Sequence, residues 1–120
     1  MPRVLIVEDE PAIRDMLDAV LTSEGYETYL AADGRGGVEL AIRLVPDFAL
    51  FDLMLPLLDG VAAIRTLRDD HRTRSIAIVA MSANAVLLSS VGGDADALLL
   101  KPFDLDDLLD VLQSQQGVPA

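Results

Sequence analysis

An α/β domain built on a parallel sheet is the fold class that the sequence predicts. Short β-rich apolar runs alternate with longer segments of helical periodicity, and five such strand–helix units follow one another along the chain. The length of 120 residues suits one domain, and 52% hydrophobic content is ample to bury a core. The first strand, Arg3–Val7, is cut off by Glu8, Asp9 and Glu10. In the helix that follows, Pro11–Ser23, Pro11 suits the first turn, Ile13, Leu17, Val20 and Leu21 form an apolar stripe, and Gly25 can terminate it. Further strands are expected at Thr28–Ala31, Phe48–Phe51, Ile76–Met81 and Leu98–Leu100, with helices near Arg35–Leu44, Val61–Asp69, Ala85–Val91 and Leu105–Gln113. The fourth helix is the weakest, because its segment is short and Gly92–Gly93 are poor interior helix residues. After Leu112 the run "QSQQGVPA" reads as a frayed end or the start of a linker, which gives a domain over 1–116 and a flexible tail at 117–120.

Charge and composition narrow the function classes. Nine basic against twenty acidic residues leave a net charge of −11, which disfavours direct binding to nucleic acid or to an anionic membrane surface. Without cysteine there is no disulfide framework, thiolate metal site or thiol nucleophile, and the single His71 reads as an ordinary surface residue. The apolar start "VLIV" ends far too early for a signal peptide, and no uncharged run is long enough to span a bilayer. A soluble cytoplasmic protein is the expectation.

One carboxylate stands out. Asp52 interrupts the apolar run "ALFDLML", and an isolated carboxylate out of water is expensive unless it is paired, neutralised or placed where the run meets solvent. In a parallel sheet every strand ends at one edge, and ligands bind in the crevice outside those carboxyl ends. Glu8 and Asp9 follow the first strand, Asp52 the third, Ser82 the fourth and Lys101 the fifth, so three carboxylates, a hydroxyl and an ammonium converge. Close carboxylates repel, and a divalent cation relieves them, with Mg²⁺ suited to oxygen-only ligands and retained waters. Lys101 and Ser82 suit phosphate oxygens, and a carboxylate in such company can attack phosphorus, with Asp52 as the nucleophile. Each group has a plainer reading alone: the acids as helix-start residues, Ser82 as a cap or turn hydroxyl, and Lys101 as a surface lysine at a turn. Their joint placement favours a site. Asp104, Asp106, Asp107 and Asp110 read as the start of the last helix, and "GDADA" lacks the spacing of a calcium loop.

The motifs "LIVEDEP", "DLMLPLLDG", "MSANA" and "LLLKPF", in this order and spacing over essentially the whole chain, resemble the receiver domain of bacterial two-component response regulators. The resemblance implies a flavodoxin-like (βα)5 three-layer sandwich with strand order 2-1-3-4-5. It implies that Asp52 accepts a phosphoryl group from a histidine kinase, a phosphotransfer protein or a small phosphodonor. Asp9, Asp52 and the backbone carbonyl of Met54 would bind Mg²⁺, Glu8 would act mostly through water, and Mn²⁺ is expected to substitute. Ser82 would be the switch hydroxyl, Ala83 the small neighbour of the phosphorylation site and Lys101 the phosphoryl contact, with a cis peptide before Pro102. The domain would act as a signalling switch toward a downstream protein, a fused effector domain or a second copy, and not as an enzyme in the usual sense. Met54 cannot position an attacking water, whereas Asn84 is a candidate for modulating dephosphorylation.

Two departures bear on transmission. Leu98 occupies the position where the family commonly carries the aromatic switch residue. The stretch from Ser82 to Lys101 is also shorter than usual by about three residues, nearly one turn at ~3.6 residues per turn, on the face that typically carries output. Retained phosphorylation chemistry with altered transmission or dimerisation is therefore expected, with Val86, Leu87, Leu88, Val91 and Leu98 as a candidate apolar partner surface or core. The alternative is a pseudo-receiver, an interaction module that works without phosphorylation. A haloacid-dehalogenase-type phosphatase would need an acid at position 54, and a flavin binder would not place Glu8–Asp9–Glu10 where a phosphate must sit.

Overall fold

In the computed structural model, which describes residues 1–115, each strand–helix unit forms where an apolar run meets a capped, amphipathic segment. The elements are β1 (Arg3–Val7), α1 (Pro11–Ser23), β2 (Glu27–Ala31), α2 (Gly34–Leu44), β3 (Phe48–Asp52), α3 (Gly60–Asp69), β4 (Ala77–Ser82), α4 (Ala85–Ser90), β5 (Ala97–Leu100) and α5 (Leu105–Gln115). The five strands are all parallel in the order β2-β1-β3-β4-β5. The expected tail at 117–120 and the domain end at 116 lie outside the described residues.

Both faces of the sheet are covered, which is why its strands read as continuous apolar runs rather than alternating ones. Leu5, Val7, Phe51, Ile78 and Ala80 pack with Ala41, Ile64 and Leu67 of α2 and α3, while Val4, Ile6, Leu50, Val79 and Met81 pack with Leu17, Leu21, Leu108 and Leu112 of α1 and α5. Successive strand residues alternate between these two cores, as the pleat requires. Polar side chains start three of the helices: Asp33 accepts from the Gly36 N–H, Asp59 from the Ala62 N–H and Asn84 from the Leu87 N–H. Pro11 opens α1, and Gly25, at φ 92°, follows its end.

Several boundaries differ from expectation. Asp52 and Ser82 are the last residues of β3 and β4 rather than the first beyond them, and Ile76 precedes β4 in a turn closed by its N–H to the Thr73 carbonyl. The fourth helix has six residues and ends at Ser90, one short of Val91, which lies in the turn leading to Gly92 and Gly93. Leu88 and Val91 are buried in the core and cannot belong to a partner surface, whereas Val86 is 80% exposed, Leu98 41% and the unanticipated Leu100 51%.

Candidate functional site

The carboxyl edge of the sheet gathers the charged residues of β1, β3 and β5. Glu8 and Asp52 are buried and Asp9 is exposed, and one carboxylate oxygen from each lies within 4.8 Å of the others. Lys101, directly after β5, donates from Nζ to Glu8 Oε1 at 2.7 Å and to Asp52 Oδ2 at 3.1 Å. The Met54 N–H donates to Asp52 Oδ1 at 3.0 Å, and the Glu10 N–H to Glu8 Oε2 at 3.3 Å. Every oxygen of the two buried carboxylates therefore has a donor, which is how the apolar run around Asp52 tolerates an ionisable group.

The electrostatics follow from this packing. Burial raises the Glu8 carboxyl to about 6, and the Asp52 carboxylate pushes it the same way, against the Lys101 ammonium and the Glu10 N–H. Burial also works against the charge on Lys101, but Glu8 and Asp52 outweigh it and hold the ammonium above its ordinary pKa. Lys101 thus remains a permanent cation between two acids.

Other expected site residues fall around this cluster. The Ser82 side chain is buried, and its Oγ accepts from the Asn84 N–H at 3.0 Å while its carbonyl accepts from the Lys101 N–H at 2.8 Å. Ala83 is exposed beside it, and the Lys101–Pro102 peptide is cis. Asn84 has a role that the sequence reading did not assign, since its Oδ1 caps α4. Leu98 lies on β5 facing outward, opposite Ala80 in the strand pairing. Arg14 was not anticipated either: its Nη1 donates to the Glu8 carbonyl at 3.0 Å and fixes the chain as it leaves β1. The sequence carries no signal for that reach, because the acceptor is a backbone carbonyl.

The loop from Leu53 to Asp59 has its own geometry. Leu57 adopts φ 69° and is 73% exposed, and the Leu58 N–H donates to the Pro56 carbonyl at 2.8 Å across it, a one-residue turn that is strained for a residue other than glycine. Asp9 and Met54 line an open groove of about 830 Å³ with Leu55, Val61, Arg65 and Leu87, so solvent reaches Asp9 from this side.

The donor set fits a small divalent cation: three carboxylate oxygens close together, one residue solvent-exposed, no sulfur or imidazole. A five-stranded parallel sheet with this acidic cleft and a lysine across it is the arrangement of a receiver domain. The chain belongs to the family of the response regulator receiver domain, whose model matches residues 4–113. It is 40% identical over 112 residues to the DNA-binding dual master transcriptional regulator RpaA of Synechocystis sp., covering 91% of this chain and 46% of that protein. It is 39% identical over 107 residues to the transcriptional activator protein PfeR of Pseudomonas aeruginosa, covering 89% of this chain and 35% of that one. The chain thus spans less than half the length of these curated relatives. Among solved structures, the receiver domain of sensor histidine kinase PA1611 from Pseudomonas aeruginosa, with magnesium coordinated in its active-site cleft, matches with TM-score 0.87 and 36% identity over 97% of this chain and 98% of that one. The response regulator TrrA of Thermotoga maritima, in complex with Mg²⁺ and BeF, matches with TM-score 0.88 and 27% identity over 96% and 99%. Among the described residues no helix is long and apolar enough to cross a membrane.

Proposed function

We propose that this chain is a phosphorylation-controlled switch in which Asp52 is the phosphoacceptor. The observation that carries the reading is the Lys101 ammonium bridging Glu8 and Asp52 beside a third carboxylate, Asp9. A carboxylate oxygen of Asp52 forms a bond to phosphorus as the bond to the donor's leaving group breaks, and the leaving group departs with its electron pair, giving an acyl phosphate. Glu8, Asp9, Asp52 and the Met54 carbonyl are the groups that would hold Mg²⁺. When bound, the ion neutralises charge on the transferred group.

The chain's own residues do the rest. Lys101 already points its ammonium at Asp52 and is placed to pair with a phosphoryl oxygen, while the Met54 N–H fixes the orientation of the carboxylate. Ser82 can donate its O–H to another phosphoryl oxygen, since the bond from the Asn84 N–H uses only a lone pair of its Oγ. Exposed Ala83 leaves room beside it. The donor is a histidine kinase, a phosphotransfer protein or a small phosphodonor, and the output goes to a separate or fused effector, in keeping with the greater length of the relatives. Dephosphorylation is slow in this reading, because the Met54 thioether cannot activate water and Asn84 Oδ1 is engaged as a cap.

Intact-mass measurement with acetyl phosphate and Mg²⁺ tests this on wild type and Asp52→Asn. A single phosphoryl adduct on the wild type and none on the variant is expected. An adduct on Asp52→Asn would move the acceptor elsewhere. A folded, Mg²⁺-binding wild type that stays unmodified by acetyl phosphate and by histidine kinases would instead make the chain a pseudo-receiver.

A further inference from the structure

We infer that Gly34, in the first turn of α2 and outside the charged cluster itself, is a positioning residue for the metal-binding loop. The inference rests on the proposed Mg²⁺ site. Gly34 is buried, and a Cβ on it would fall 1.6 Å from the carbonyl oxygen of Leu58 and 2.6 Å from its carbonyl carbon, both backbone atoms. Its backbone conformation is not what demands glycine, since Gly25 is the glycine with positive φ among the described residues. The demand is for space.

That space seats the loop directly on α2, where the Gly34 N–H also donates to the Pro56 carbonyl at 3.4 Å. Between Leu53 and Asp59 the chain makes the strained turn at Leu57, and its far end is closed by the Gly60 N–H to the Leu53 carbonyl at 3.0 Å. Gly60 in turn sits where a Cβ would be 2.3 Å from the Asp52 carbonyl oxygen. The segment is thus seated between two bare Cα atoms, one on α3 and one on α2. It carries Met54, whose N–H orients the Asp52 carboxylate and whose carbonyl is the fourth oxygen of the proposed site.

Real Cβ atoms essentially never come within 3.0 Å of such neighbours, so a methyl at 34 forces backbone to give by more than an ångström. Mg²⁺ demands near-ideal octahedral geometry at about 2.0–2.1 Å and does not tolerate such a displacement of an oxygen donor. Gly36 offers the contrast on the same helix. A Cβ there would meet the Asp33 carboxylate at 3.3 Å and the Ala31 methyl at 3.8 Å, and no atom of the loop.

The test is Mg²⁺ titration of wild type, Gly34→Ala and Gly36→Ala by isothermal calorimetry, with folding checked by circular dichroism. Gly34→Ala should bind Mg²⁺ roughly ten- to a hundredfold more weakly, the range typical of lost support behind metal ligands, while Gly36→Ala stays within about twofold. A folded Gly34→Ala with wild-type affinity overturns the inference. A wild type that binds no Mg²⁺ overturns the proposed site and this inference together. Amide NMR of the wild type provides a second measurement that needs no variant: Mg²⁺ should shift Gly34 together with Met54 and Leu58. A stationary Gly34 resonance beside a moving Met54 also overturns it.

Discussion

Between β3 and α3 the chain is held backbone to backbone, with Gly60 against Asp52 and Leu53 and Gly34 against Leu58. Between α4 and β5 the arrangement is different. A six-residue helix leaves Leu98 and Leu100 exposed on the edge strand, and the connecting turn from Val91 is secured from outside by Arg68 of α3, with Arg65 paired to Asp94 at 3.7 Å. Arg68 donates to the carbonyls of Asp94, Arg74 and Ile76 and pairs with Asp96 at 2.6 Å, and Asp96 in turn accepts from the Ile78 N–H. The flank that handles charge is fixed by shape and leaves little to adjust. The flank that faces outward is fixed by a polar clamp that one substitution can remove, which places it among the parts of a fold that open first.

The largest expected effect tests that clamp. Arg68→Met keeps the aliphatic stem but takes the guanidinium from three carbonyls and leaves the Asp96 carboxylate with the Ile78 N–H and no cation, and should cost about 3 kcal/mol in urea unfolding. A loss below about 1 kcal/mol would mean that the α4–β5 flank is held by packing after all.

A smaller effect sharpens the other flank. Glu8 sits at about 6 in the fold against an ordinary 4.5, so the folded state binds its proton more tightly than the unfolded chain does. Its stabilising contribution is complete below pH 4.5 and is lost as pH rises through about 6 in the metal-free protein. Glu8→Gln mimics the protonated form, so its stability should match wild type near pH 4.5 and exceed it by about 2 kcal/mol at pH 7, taking ~1.36 kcal/mol per pKa unit. A difference that stays flat with pH, or that favours wild type, would show that Lys101 fully compensates the buried charge.

The smallest effect returns to the outward flank. Leu98→Ser should change stability by no more than about 0.5 kcal/mol, as expected for a surface position. A loss of several kcal/mol in chemical denaturation would mean that Leu98 is packed as firmly as Phe51.

How much of this was legible follows from what each contact leaves in the sequence. The five units and the polar residues at strand ends were readable, because apolar runs and their interruptions are local signals. The strand order came with the resemblance and agrees with the pairing observed. The burial of Leu88 and Val91 was not readable, because so short a helix gives no periodicity to separate an inner from an outer face. Arg68 was invisible for another reason: three of its four acceptors are backbone carbonyls, which any residue supplies. Asn84 carried a signal that went unused, an amide directly before a helix. The strain at Leu57 had none, since the sequence places a leucine where the turn would favour glycine.

The uncovered strand β5 has a consequence for how the protein behaves in the test tube. "ALLL" is an edge strand with no charge or proline within it, the kind of surface on which chains pair into aggregates. Its shortness, four residues between Asp96 and Lys101, limits such pairing, and the net charge of −11 opposes it as a colloidal defence that belongs to the whole molecule. That defence disappears as the pH approaches the isoelectric point of about 4.2, and turbidity rising there, and receding on return to neutral pH, would be its visible sign.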